Sequence, residues 1–185
     1  MSNNNHFTIA AATEADVEGI GEAQLESWLQ TYPNKELGID RVWIKKELGF
    51  LVEKQGNDFR RKTVKESLSP GSNTLYLVVK NDQGRIKGFL HVTKRKDGAL
   101  LDAIYLTKEA QGTGIAQLLM KRALVFAGNL SMKVEVAEYN DRAIHFYQKY
   151  RFIKQADPAT KHLHRDKIPV MTMMRTADTD VSNEI

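Results

Sequence analysis

A chain of 185 residues, 42% hydrophobic and 27% charged, has the length and balance of one globular domain with a sizeable core, not of a disordered, collagen-like or membrane-spanning protein. Its 27 basic and 23 acidic side chains leave a net charge of +4, an excess too small and too dispersed for a nucleic-acid footprint. The absence of cysteine excludes disulfides, thiolate metal sites and a cysteine nucleophile, and the polar start of the chain, with no apolar leader, reads as a cytoplasmic protein.

In chain order, Phe7–Ala11 is the first predicted strand. Thr13 to Asp16 then forms a capping box in its Asp form, opening a helix that runs to about Tyr32 and stops at Pro33. Val17, Ile20, Ala23, Trp28 and Leu29 recur on it with helical spacing. Further helical stretches are predicted from Arg41 to Val52 and from Asp58 to Leu68. The texture then changes to strands at Leu75–Val79, Ile86–Thr93 and Leu100–Leu106, broken by turn signals at Asn81–Gly84 and Asp97–Gly98. A helix from Ile115 to Ala127, a strand from Met132 to Val136 and a helix from Asn140 to about Tyr150 follow. Strands at Phe152–Ala156 and Val170–Met174 close the series, and residues 176–185 form a polar tail. The order predicts one α/β (α+β) domain over residues 1–175, with a mixed central sheet of six to seven strands and helices on both faces. The basic triplets Arg60-Arg61-Lys62 and Lys94-Arg95-Lys96 read as solvated surface. The histidines, His162 and His164 included, lack the spacing of a metal site.

Between strand Leu100–Leu106 and the next helix stands Gln111-Gly112-Thr113-Gly114-Ile115-Ala116. Glycines at a helix start let the backbone approach a ligand, and the exposed N–H groups favour a phosphate there. No Gly-Lys-Ser/Thr occurs in the chain, and Gln117 stands where a dinucleotide fingerprint needs its third glycine, so a nucleotide-dependent enzyme is disfavoured. The pattern Q/R-x-x-G-x-G/A fits at every specified position. One helix and one strand later comes Asn140-Asp141-Arg142-Ala143-Ile144-His145-Phe146-Tyr147-Gln148-Lys149-Tyr150-Arg151-Phe152.

These two segments, over roughly 100–152, resemble the GNAT family of N-acetyltransferases. One departure is Arg151, where the family pattern has the glycine of a left-handed helix cap. The resemblance implies acetyl-CoA as cosubstrate, no metal, and a cleft where strands Leu100–Leu106 and Met132–Val136 splay apart. It implies that backbone groups of Ile104, Tyr105 and Leu106 meet the pantetheine arm, with the Leu106 N–H polarising the thioester carbonyl. The amides of Gln111, Gly112, Thr113, Gly114, Ile115 and Ala116 would hold the pyrophosphate, and Asn140 and Ala143 would border the cofactor. Tyr147 is the implied general acid. Glu135 is the first choice of general base, with Asp102 and Glu138 as alternatives. Trp28 and Tyr32, four apart on one helix face, line the acceptor pocket or pack the core, and the helical insert 41–68 shapes the acceptor side. The acceptor is a primary amine, either a small amine or polyamine or a protein N-terminus or lysine. A homodimer is compatible with the family, and a non-catalytic acyl-CoA sensor on the same fold is the competing function.

Overall fold

The computed structural model describes residues 6–156, 161–163 and 167–177, so His164 and most of the predicted tail lie outside the described residues. Strand β1 is Phe7–Ala11. The Asp16 carboxylate accepts from both the Thr13 N–H at 2.9 Å and its hydroxyl at 2.8 Å, closing the predicted box. The first turn it opens is 3-10 (Glu14–Asp16) before helix α1, Val17–Thr31. Burial works to raise the Asp16 pKa, but the bonds from Lys80 and Thr13 outweigh it and hold it below the usual range.

Helix α2 (Arg41–Leu48) is capped by Asp40, whose side chain accepts from the Trp43 N–H. It runs into a 3-10 turn at Gly49–Val52 where a continuous helix was expected. Helix α3 covers Lys54–Ser67, four residues earlier than predicted. Its first turn carries Gly56 and little apolar signal. Gly56 is there for close approach: a Cβ would come within 2.3 Å of the Phe50 carbonyl. Arg60 is not the solvated cation its triplet suggested. It is 5% exposed, and its guanidinium donates to Val17 O, Leu51 O and Asn57 Oδ1, tying α3 to α1 and to the 3-10 turn.

The sheet then forms from β2 (Thr74–Asn81), β3 (Ile86–Arg95), β4 (Gly98–Leu106), β5 (Met132–Ala137), β6 (Ile153–Lys154), β7 (Lys161–Leu163) and β8 (Ile168–Arg175). The order across it is β1-β2-β3-β4-β5-β8-β6, with β7 also on β8. β6 is shorter than predicted because only Ile153 and Lys154 pair with β8. All pairs are antiparallel except β4 with β5. Alternating side chains send Leu77, Val79, Leu90 and Val92 to one face, where helix α4 (Ile115–Ala127) covers them with Leu119, Met120 and Ala123. The other face meets α1, α2 and α3 in two clusters, one around Val17, Val64, Val78 and Phe89, the other around Trp28, Ile44, Leu48 and Val170. Helix α5 (Asp141–Gln148) buries Tyr147 in the α4 cluster.

The chain leaves α5 through Arg151 at φ 62°, the only non-glycine at positive φ among the described residues. The cap geometry is therefore the one that a glycine serves in the sequence pattern. Arg151→Gly is expected to raise stability by about 1 kcal/mol, a gain of roughly 2–4 °C in Tm by thermal melting. An unchanged Tm would mean that the arginine side chain, which has partners of its own, offsets the backbone strain.

Candidate active site

The site begins with a failure of pairing. β4 and β5 are matched only at Ala99–Met132 and Leu100–Lys133, and beyond these the two parallel strands part. A bulge sits at the same level: Leu101 faces Val92 and Ala103 faces His91, leaving Asp102 as the extra residue of β4. On the β3 side, Thr107 N–H donates to Lys87 O. Because hydrogen-bonded and open pairs alternate along an antiparallel ladder, the backbone groups of Tyr105 turn to β3. Those of Ile104 and Leu106 turn into the gap. Of the three residues expected to offer backbone groups there, Tyr105 does not. The Leu106 carbonyl is taken by Gln111 Nε2 at 2.8 Å, which leaves its N–H facing the gap.

On the α4 face the gap opens into a cavity of about 470 Å³ lined by Ile104, Leu106, Gln111, Gly112, Ala116, Asn140, Ala143 and Tyr147, among others. Gly112 (φ 79°) and Gly114 (φ 88°) shape the loop at its end, with Gly114 as the left-handed cap of α4. The N–H groups of Gly112, Thr113 and Gly114 make no backbone hydrogen bond among the described residues, and the first turn of α4 adds its own free donors. Thr113, Gly114 and Ile115 do not line the cavity with side chains. The Thr113 hydroxyl bonds Ala110 O, and Ile115 is buried in the core. Asn140 caps α5, its Oδ1 accepting from Ala143 N–H, so its amide N–H groups stay available. Arg142, His145 and Lys149 line the same cavity, and Arg142 also holds Gln111 Oε1. These three side chains, spaced three and four apart, formed a legible stripe of hydrogen-bond donors that sequence reasoning passed over.

On the opposite face a second cavity, of about 480 Å³, lies between α1, β4, β5 and β8. Trp28 and Tyr32 stack at its wall, ring centroids 4.1 Å apart. Trp28 is buried in a core cluster and also lines this cavity. Tyr32, Leu101, Asp102, Tyr105 and Glu135 border both cavities, so the two meet there across the splayed strands. Glu135 lies 3.7 Å from Lys133 Nζ. Asp102 accepts from the Thr93 hydroxyl at 2.7 Å. Glu138, the third candidate carboxylate, lines neither cavity.

Three phenols converge at the junction. Tyr147 is 6% exposed; burial, then the nearby Tyr105, hold its pKa above the ordinary value. Burial also raises Tyr105, against bonds from Tyr32 and Trp28. Tyr32 is pushed well up, first by burial and then by Tyr105. All three therefore remain protonated donors at neutral pH. Ser27 Oγ, on the wall of the first cavity, is buried without a hydrogen-bond partner among the described residues. No group of three or more His, Asp and Glu side chains among the described residues could hold a metal ion. No described helix is long and apolar enough to cross a membrane.

The Acetyltransferase (GNAT) family matches residues 24–152. In fold, the chain is similar to a PaiA N-acetyltransferase from Thermoplasma acidophilum solved with coenzyme A (TM-score 0.71, 21% identity, 90% of this chain and 98% of that one). It is similar also to the spermidine/spermine N-acetyltransferase SpeG from Vibrio cholerae (TM-score 0.62, 19% identity, 91% and 92%). A third similar structure is apo YjaB from Escherichia coli (TM-score 0.58, 19% identity, 91% and 97%). No curated protein matches the chain by sequence.

Proposed function

The chain belongs to the acetyltransferase (GNAT) family, and from that membership we propose that it transfers an acetyl group from acetyl-CoA to a primary amine, both bound at once. The observation that carries this reading is the junction itself. A gap between parallel strands, with an unpaired Leu106 N–H and a buried phenol, opens on one side to a phosphate cradle and on the other to carboxylates.

The residues fit the cosubstrate. The free amides of Gly112 to Gly114 and the positive end of α4 suit a diphosphate, and Arg142 and Lys149 add cationic groups to the cavity wall. The gap offers the backbone of Ile104 and Leu106 to an amide-bearing arm, and the orphaned Ser27 hydroxyl gains a polar partner. Acetyl-CoA supplies the activated acyl carbon. The Leu106 N–H stabilises negative charge developing on its carbonyl oxygen. Attack requires a neutral amine, whereas only about one alkylamine in a thousand is neutral at pH 7. Glu135, at the rim shared by both cavities, removes that proton through water. The C–N bond forms, the C–S bond breaks, Tyr147 gives its proton to the leaving sulfur, and the proton shed by the acylated nitrogen restores the phenol. Trp28, Tyr32 and the helical insert 41–68 frame the acceptor side. The supply of acetyl-CoA inside cells supports a cytoplasmic address under this reading.

Calorimetric titration with acetyl-CoA, with ATP and NAD as controls, tests the reading. Selective micromolar binding of acetyl-CoA is expected, followed by amine-dependent release of CoA. That release can be followed with a thiol reagent, because the chain has no cysteine. Binding without turnover on any amine would favour a sensor, and binding of ATP or NAD alone would end the acyl-transfer reading.

A further inference from the structure

A third cavity, of about 440 Å³, lies beneath α3 on the acceptor face. Tyr76 stacks on Phe89 at 5.8 Å and on His91 at 4.9 Å, and all three rings line the cavity. Phe50 and Phe59 stand at the wall, 41% and 76% exposed, large apolar rings in water beside a concave site. The inner end is Asp102 and Ala103, which also line the cleft on the α4 face. Ala103 contributes only a methyl group there.

The charges in this chamber are unequal in availability. Arg60 already donates to two backbone carbonyls and Asn57, and the Tyr76 hydroxyl is bonded to it as well. Its buried positive charge repels a second cation. Asp102 has one oxygen bonded to Thr93, with His91 Nδ1 at 3.7 Å from that same oxygen. Its Oδ1 takes no hydrogen bond among the described residues. A cationic group is therefore welcome at the inner end of the chamber and unwelcome along its body.

Building on the acyl-transfer reading, we infer that the acceptor is a monoamine with an uncharged, ring-bearing body: the ring lies in the chamber against Phe59, Tyr76 and Phe89, and the amine reaches Asp102 at the mouth of the cleft. Such an amine satisfies the free carboxylate oxygen and covers the exposed phenyl rings. A polyamine would carry its second charge toward Arg60.

The test compares phenethylamine, butylamine and spermidine as acceptors for the full chain, with acetyl-CoA affinity measured in parallel. Phenethylamine is expected to exceed both others in kcat/KM by at least about tenfold, the order of effect of burying a phenyl ring. Thr63→Trp, which fills the chamber, is expected to abolish that preference while acetyl-CoA affinity holds. Phe59→Ala, at an exposed position that folding does not depend on, is expected to reduce the preference severalfold. Equal or better use of spermidine or butylamine by the wild-type chain, or a preference that survives Thr63→Trp, overturns the inference and leaves the acyl-transfer reading standing. Failure of the wild-type chain to bind acetyl-CoA overturns both.

Discussion

Tyr147→Phe is expected to lower kcat by about a hundredfold to a thousandfold, the usual worth of a positioned proton donor, with acetyl-CoA affinity almost unchanged. The substitution deletes one oxygen and keeps the ring that packs edge-on against Phe146 and tilted against Phe152, so the fold and the cleft survive it. The phenol suits the task because burial, and next the neighbouring Tyr105, keep its pKa above the ordinary value. It is therefore still protonated at any pH where the enzyme works, and no alkaline loss of activity from this group is expected below about pH 10. The wild-type rate should climb with pH as the neutral fraction of the acceptor grows. The variant should show the same slope on a lower plateau. Steady-state kinetics across pH, paired with calorimetry, checks both halves. Near-normal turnover would remove Tyr147 from the reaction, and the same change at Tyr32, whose phenol is also held protonated, would then identify the donor.

Glu135→Gln carries the second large effect. A fall in kcat of about a hundredfold is expected at neutral pH. The deficit should shrink as pH approaches the acceptor's own pKa, because an amine already neutral needs no base. Glu135 is partly solvated and close to Lys133, so its loss should cost little stability. Asp102→Asn makes the informative contrast. It keeps an oxygen for the Thr93 hydroxyl but removes the charge, so the expected signature is a raised acceptor KM with a smaller change in kcat. Full activity in Glu135→Gln together with collapse in Asp102→Asn would transfer the role of base to the bulge residue.

Much of this arrangement was legible in one dimension. The helix Ile115–Ala127 begins and ends where apolar periodicity and flanking glycines place it, and Asn140 caps α5 as its position promised. Arg151 was readable as a strained position from the motif alone, and it adopts the left-handed backbone. The start of α3 was not readable, because Gly56 and a polar first turn hide a helix that is held by contacts to Phe50 and Leu51. Arg60 looked like surface because its partners, the carbonyls of Val17 and Leu51 and a tyrosine on β2, come from elsewhere in the chain.

The sequence by itself determined what depends on near neighbours: strand and helix periods, caps, the glycine loop and the identity of the groups that carry chemistry. Tertiary structure decided which of those groups meet. A single bulge at Asp102 and the parting of β4 from β5 after Leu100 set which carbonyls and N–H groups face the gap. The same two features bring Tyr32, Tyr105, Glu135 and Tyr147 to one junction from α1, β4, β5 and α5. Those positions are separated by up to 115 residues, and nothing in local propensity encodes a meeting at that distance. It follows from sheet register and from packing on two opposite faces, which exist only once the chain has folded.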